Sequence, residues 1–214
     1  MTNKVTIIDY GIGNLLSVRR ALEHCGANVT LSSDATEIAT AERLLLPGVG
    51  AFGPAMQKLE ANALIESIHT FATTGRPLLG ICLGMQLLLD GSTEFGEHQG
   101  LGLIAGKVLP IPKTIHQGVT LKIPNIGWCD LHATPSNPSW DGTVLATTPQ
   151  NASTYFVHSY YAKVHNPNHE IARIRYGNTS LAAVICADGI TGCQFHPEKS
   201  GTVGLQILEQ FIAT

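Results

Sequence analysis

Cys82 lies in Gly80-Ile81-Cys82-Leu83-Gly84, a G-x-C-x-G placed between an apolar strand-like run and a helix-like run. A G-x-S-x-G in that context is a nucleophile elbow, and its physics transfers to cysteine. The turn is so tight that the nucleophile takes a strained backbone conformation, which small neighbours two residues to either side permit. A helix start beneath the sulfur favours thiolate over thiol and leaves outward-facing N–H groups that can hold an oxyanion. The bland alternative is a buried cysteine at a glycine-rich strand end. His196-Pro197-Glu198 supplies what such a thiol needs. A histidine can take the thiol proton and return it to a leaving group, and a carboxylate can fix its tautomer. Two residues apart with a rigid proline between, the pair projects to one side if the backbone stays extended. Pro47-Gly48-Val49-Gly50-Ala51-Phe52 is a third fragment, whose glycines let a backbone N–H approach a reacting oxygen. Read blandly, it is a strand-to-helix turn.

Other fragments carry less. Gly11-Ile12-Gly13 sits where a dinucleotide loop would, but Leu16 takes the position of the last glycine, which argues against a nucleotide cofactor. Cys193 and His196 have no partner pair at zinc spacing, so no metal is expected. His24, His69, His98, His116, His132, His165 and His169 sit among polar or loop-like residues and read as surface groups, whereas His158 lies among aromatics and either lines a site or fills space.

The elements that must position these residues alternate strand and helix over the first ninety positions. Val5–Asp9, Val29–Leu31, Leu44–Leu46 and Pro77–Ile81 are short apolar strands. Helices are expected from Leu15 to the stop at Gly26, over Ala35–Ala41, from Pro54 through Leu59, Ile65, Ile68 and Phe71, and over Leu83–Leu89. Continuous apolar strands between amphipathic helices indicate a parallel sheet covered on both faces, with ligands at the carboxyl ends of the strands. The second half changes to short strands with Pro and Gly turns: Lys107–Leu109, Gly127–Leu131, Val144–Ala146, Thr154–Val164, Ile171–Tyr176 and Leu181–Cys186. Helical periodicity returns in Val203–Ile212. The expectation is one α/β domain over residues 1–214, a central mostly parallel sheet with antiparallel strands added late.

Composition excludes several classes. Thirteen Lys plus Arg against sixteen Asp plus Glu gives a net charge of −3, the wrong sign for a sequence-independent nucleic-acid binder. The longest apolar-rich stretch free of charge, Pro77–Leu89, is interrupted by Gly80, Gly84 and Gln86 and falls short of the roughly 20 residues of a membrane span. Five cysteines without a C-x-x-C read as reduced thiols, so a cytoplasmic location is expected, and the N-x-[ST] matches at Asn28, Asn151 and Asn178 are accidents of composition.

The Cys82 elbow and the distant H-P-E resemble the class I (triad) glutamine amidotransferases over essentially the whole chain. Within them, Asp9-Tyr10-Gly11-Ile12-Gly13-Asn14-Leu15, Pro47–Phe52, Gly80–Gln86, Phe156-Val157-His158-Ser159-Tyr160 and Gln194–Ser200 resemble the glutaminase subunits of imidazole glycerol phosphate synthase. The resemblance implies a flavodoxin-like fold and a triad of Cys82, His196 and Glu198 that hydrolyses glutamine through a thioester. It implies an oxyanion hole from the backbone N–H groups of Leu83 and Val49, and glutamine held by Gly50, Gln86, Glu94, Ser159 and Tyr160. Glu94 reads equally as a solvated loop carboxylate. The implied partner is a (β/α)8-barrel cyclase of the HisF type that receives the ammonia, with Trp128, Tyr155 and Lys199 near the interface and no cofactor. One segment departs: where the subgroup usually reads P-H-M-G-W-N, this chain has Pro124-Asn125-Ile126-Gly127-Trp128-Cys129. Two other readings stay open, a glutaminase feeding surface-polysaccharide sugar amidation and a stand-alone γ-glutamyl cysteine hydrolase.

Overall fold

The computed structural model describes residues 3–214. Its first half is built as the apolar runs require. Strands β1 (Lys4–Ile8), β2 (Asn28–Ser32), β3 (Leu44–Leu46) and β4 (Leu78–Ile81) pair in parallel in the order β4-β3-β1-β2. Helices α1 (Leu15–His24), α2 (Ala35–Thr40), α3 (Phe52–Ala61) and α4 (Ile65–Ala72) connect them, and α5 (Leu83–Leu87) follows β4 directly. Asn14 caps α1 through Ser17 N–H, and Asp34 caps α2 by accepting from the N–H groups of Thr36 and Glu37.

The central strands alternate between two buried cores. Ile7, Leu45 and Leu79 face one side, packed with Val18 and Leu22 of α1. Ile8, Leu44, Leu46 and Leu78 face the other, under Leu59 of α3 and Ile68 and Phe71 of α4. The helix expected from Pro54 onward is two helices, beginning at Phe52 and broken at Asn62–Leu64, where Ala63 takes φ +54.

The second half extends this frame. Strands β5 (Leu89–Ser92), β6 (His98–Gln99), β7 (Ile104–Pro110) and β13 (Tyr160–Val164) form a separate sheet in the order β13-β7-β5-β6. A small hairpin, β8 (Ile115–His116) and β9 (Val119–Thr120), precedes a two-stranded ribbon of β10 (Asn125–Asp130) and β12 (Ser153–His158). Strands β11 (His132–Ala133), β14 (Glu170–Tyr176) and β15 (Thr179–Ala187) add to the central sheet antiparallel. The last strand, β16 (Ile190–Cys193), inserts between β15 and β4, and helix α6 (Gly201–Ala213) then packs on the α1 face.

The fold is α/β as the resemblance implied, with two further local corrections. Thr154–Val164 is not one strand: it breaks at Ser159, and its halves join different sheets. Val144–Ala146 is not a strand; Val144 and Leu145 are buried within turns, so their apolar character reflects core packing rather than pairing.

The insertion of β16 decides where the chemistry lies. β16 runs parallel to β4 with Cys193 opposite Ile81, so the residues leaving both strands emerge at the same sheet end. Cys82 N–H donates to the Cys193 carbonyl at 2.7 Å, which ties the two exits together.

Candidate active site

Cys82 sits at φ +55, ψ −110, a region non-glycine residues avoid, and is 8% exposed. The flanking glycines are forced by contact. A Cβ on Gly84 would lie 1.9 Å from the Leu46 carbonyl oxygen, and one on Gly80 would lie 2.7 Å from the Gly84 oxygen. Leu83 opens α5, so its N–H has no acceptor within the helix.

The H-P-E segment is pinned to β12. His196 N–H donates to the Tyr155 carbonyl at 3.0 Å, and Ser200 Oγ accepts from Tyr155 N–H while donating to the His196 carbonyl. The backbone does not remain extended between His196 and Glu198. His196 is extended, as a residue before proline must be, and Pro197–Lys199 then forms a 3-10 turn. That turn brings Glu198 back under the imidazole, Nδ1 to Oε1 at 2.8 Å, with the carboxylate side chain only 1% exposed. Nε2 of His196 has no conventional hydrogen bond, and the Cys82 sulfur is its close electrostatic neighbour. Burial opposes a charge on His196, but Cys82 and Glu198 on either side outweigh it and push its pKa up to about 9.

A cavity of about 410 Å³ opens over the sulfur. Val49, Gly50, Cys82, Leu83, Gln86, Glu94, His158, Ser159, Tyr160 and His196 line it. Every residue expected at the catalytic, oxyanion and glutamine positions is thus on this wall except Glu198, which stands behind His196. Val49 and Gly50 are exposed on the β3–α3 loop, whose first carbonyl, that of Pro47, accepts from the fully buried Tyr10 hydroxyl at 2.8 Å. Glu94 is not a solvated carboxylate. It is 8% exposed and its Oε2 accepts from Phe52 N–H at 2.7 Å. Gln86 Nε2 donates to the Tyr160 carbonyl and to Gln194 Oε1, leaving Oε1 as the atom it can offer a ligand.

Sequence reasoning passed over Gln194 as a site residue, met Asn125 only as a departure from the subgroup pattern, and left His158 undecided. Gln194 is fully buried beside the sulfur, and a glutamine between two buried apolar residues was the signal available. His158 lines the cavity. Its Nδ1–H donates to the Tyr160 carbonyl at 2.9 Å and its Nε2 faces Asn125 Nδ2 at 3.0 Å. Burial, reinforced by the nearby His196 and only partly opposed by the Tyr160 carbonyl, lowers its pKa to about 4. Phe156 packs against His158 with tilted rings and against Phe195 edge to face, each at 5.6 Å, and so braces the two segments that carry the histidines.

Trp128, Tyr155 and Lys199 lie outside the cavity. Trp128 and Tyr155 are register partners on the outer ribbon face, their rings edge to face at 6.0 Å. With Ile126 and Val157, the register pair two positions along and so on the same face, they form an apolar face in which Trp128 is 57% and Ile126 61% exposed. Lys199 is exposed on the turn beside β12. Among the described residues no helix is long and apolar enough to cross a membrane, and no three His, Cys, Asp or Glu side chains cluster to hold a metal.

An elbow cysteine facing a histidine–carboxylate pair, at adjacent strand ends of an α/β sheet, defines a cysteine-dependent amide-hydrolysing class. The family model for glutamine amidotransferase class-I matches residues 6–214, and the chain belongs to that family, within its HisH branch. It is 50% identical over 210 residues to imidazole glycerol phosphate synthase subunit HisH 1 of Legionella pneumophila (strain Lens), covering 98% of this chain and 99% of that protein. It is 43% identical over 210 residues to subunit HisH of Methanosarcina barkeri, covering 98% of each. A solved structure of PurLQS from Thermotoga maritima superimposes over 100% of this chain and 98% of that one with a TM-score of 0.72 at 20% identity, a likeness of fold.

Proposed function

We propose that this chain hydrolyses L-glutamine at Cys82 and hands the ammonia to a HisF-type cyclase. The observation that carries the reading is that Cys82 and His196 line one cavity bordering the apolar ribbon face, with Glu198 hydrogen-bonded to His196 from behind.

Cys82 attacks the side-chain amide carbon of glutamine as a thiolate, its proton residing on His196. The tetrahedral oxyanion is met by the Leu83 N–H and, from the facing loop, the Val49 N–H. Collapse breaks the C–N bond, and the imidazolium gives its proton to the departing nitrogen, which leaves as ammonia. His196, now neutral, takes a proton from water. The hydroxide adds to the thioester, the C–S bond breaks to release glutamate, and the thiolate beside a protonated His196 is regenerated. Glu198 holds the imidazole orientation and stabilises its charged form. Glu94 offers a buried carboxylate for the α-ammonium of the substrate. Gln86 Oε1, Ser159, Tyr160 and the Gly50 backbone complete the cradle.

Ammonia in bulk water at neutral pH becomes mostly unreactive ammonium, so transfer must be direct. The exposed Trp128–Tyr155 pair, with Ile126 and Val157 beside it, offers a hydrophobic anchor of the kind protein partners seek. Val157 belongs both to this face and to the cavity wall, so a docked partner would sit at the cavity mouth. The HisH names of the relatives favour a barrel cyclase that combines the ammonia with a formimino-carboxamide ribonucleotide (PRFAR), giving imidazole glycerol phosphate and an aminoimidazole carboxamide ribotide (AICAR). The test is glutamate release by the chain alone, with a HisF-type cyclase, and with the cyclase and its nucleotide, using Cys82→Ala as the blank. Strong stimulation by the cyclase and nucleotide, lost in the blank, is expected. Steady hydrolysis indifferent to the cyclase would overturn the partner assignment.

A further inference from the structure

We propose that Gln194 is a further catalytic residue of this site, its side-chain amide donating to the Cys82 sulfur and so favouring the attacking thiolate. The inference rests on Cys82 being the nucleophile of the reading above. Gln194 Nε2 lies 3.8 Å from Cys82 Sγ, within reach of an N–H···S hydrogen bond. Gln194 is fully buried, so its amide has no water to turn to.

Its orientation is fixed by neighbours whose donor directions can be worked out one by one. The Tyr160 carbonyl can only accept, so His158 donates to it from Nδ1 and Gln86 donates to it from Nε2. Neutral His158 then presents Nε2 as an acceptor, and the Asn125 amide donates to it. Gln86 Nε2 also donates to Gln194 Oε1 at 3.0 Å. With its oxygen committed to Gln86, Gln194 must turn its NH2 toward the sulfur. A thiol sulfur is a weak acceptor and a thiolate a strong one, so a buried donor held at this distance stabilises the charged form. The donor approaches from the core side, while the cavity side of the sulfur stays open to substrate.

The sulfur has other charged or titratable neighbours, and the experiment must hold them constant. His196 faces it from the segment after β16 with Glu198 behind, Tyr10 lies near it in the loop after β1, and His158 of β12 and Glu94 of the loop after β5 line the cavity over it. Gln194→Met keeps the volume and removes the donor while leaving all five in place. The readout is the rate of Cys82 alkylation by iodoacetamide against pH, followed on the Cys82 peptide by mass spectrometry. This reaction uses neither glutamine nor an oxyanion hole. The expected result is an upward shift of the alkylation midpoint by about one pH unit, with glutaminase kcat down about tenfold and KM within about threefold. Gln86→Leu releases the grip on Gln194 Oε1 and should move the alkylation midpoint in the same direction; it decides the matter if the methionine variant does not fold. Folded variants whose alkylation curves superimpose on the parent would overturn the assignment. Failure of the glutaminase reading would show separately, as no glutamate release from the parent.

Discussion

His158→Gln should flatten the acid limb of the stability curve. Glutamine can still donate to the Tyr160 carbonyl and accept from Asn125, so the bonds in which His158 takes part are kept while its titration is removed. Burial, with the charge of His196 added, lowers the folded pKa of His158 from an ordinary 6.5 to about 4. A lowered histidine pKa means that the unfolded chain takes up a proton first. The associated stability is therefore fully present above about pH 6.5 and is lost as pH falls toward about 4. At 1.36 kcal/mol per unit, the full window is worth about 3 kcal/mol, and about 2 kcal/mol of it is gone by about pH 5. Urea unfolding of parent and variant in steps between about pH 7.5 and about pH 5 measures this. The parent should lose about 2 kcal/mol more than the variant across that range. Parallel loss in both proteins would mean that His158 is not held neutral by burial.

Three further outcomes follow from the site. Glu198→Gln removes the carboxylate under His196, so the raised imidazole pKa should fall and glutamate release should drop at least about a hundredfold at neutral pH, read from steady-state kinetics over a pH series. In the inactive background, Cys82→Gly should unfold at a higher temperature than Cys82→Ala, by a margin of about 1 kcal/mol, because only alanine retains the strain of φ +55; equal melting would show that the elbow is unstrained. Gly84→Ala should fail to give folded protein or lose more than about 3 kcal/mol, since its Cβ would meet the Leu46 carbonyl at 1.9 Å, and circular dichroism melts decide it.

Much of the frame was legible because it is written in local terms. Leu44–Leu46 and Leu78–Ile81 are uninterrupted apolar runs, which only strands buried on both faces tolerate. The elbow was legible because its glycines answer a contact made within a few residues. What sequence could not supply was partnership between distant segments. Residues 153–164 alternate in and out on both sides of Ser159, and a period of two carries no information about which sheet each half joins. The helix break at Ala63 has no glycine or proline to announce it; the chain adopts the left-handed conformation with alanine between α3 and α4. Glu94 sits in a loop rich in polar residues, and only the nearby Phe52 N–H reveals why its carboxylate is inside. Gln194 likewise has no meaning until β16 lies beside β4.

The glycines at the sheet end set a limit on what can vary there. A Cβ on Gly48 would come within 2.8 Å of both the Gly84 nitrogen and the Leu83 Cβ, so the β3–α3 loop and the elbow meet backbone against backbone. Their separation is set by atoms with no rotamers to choose from, and no side-chain repacking elsewhere can widen or narrow it. Rotation of the peptide planes around a fixed Cα trace is the freedom that remains, most of all at the exposed Val49 and Gly50. Whatever tunes this wall must act on angle rather than on distance.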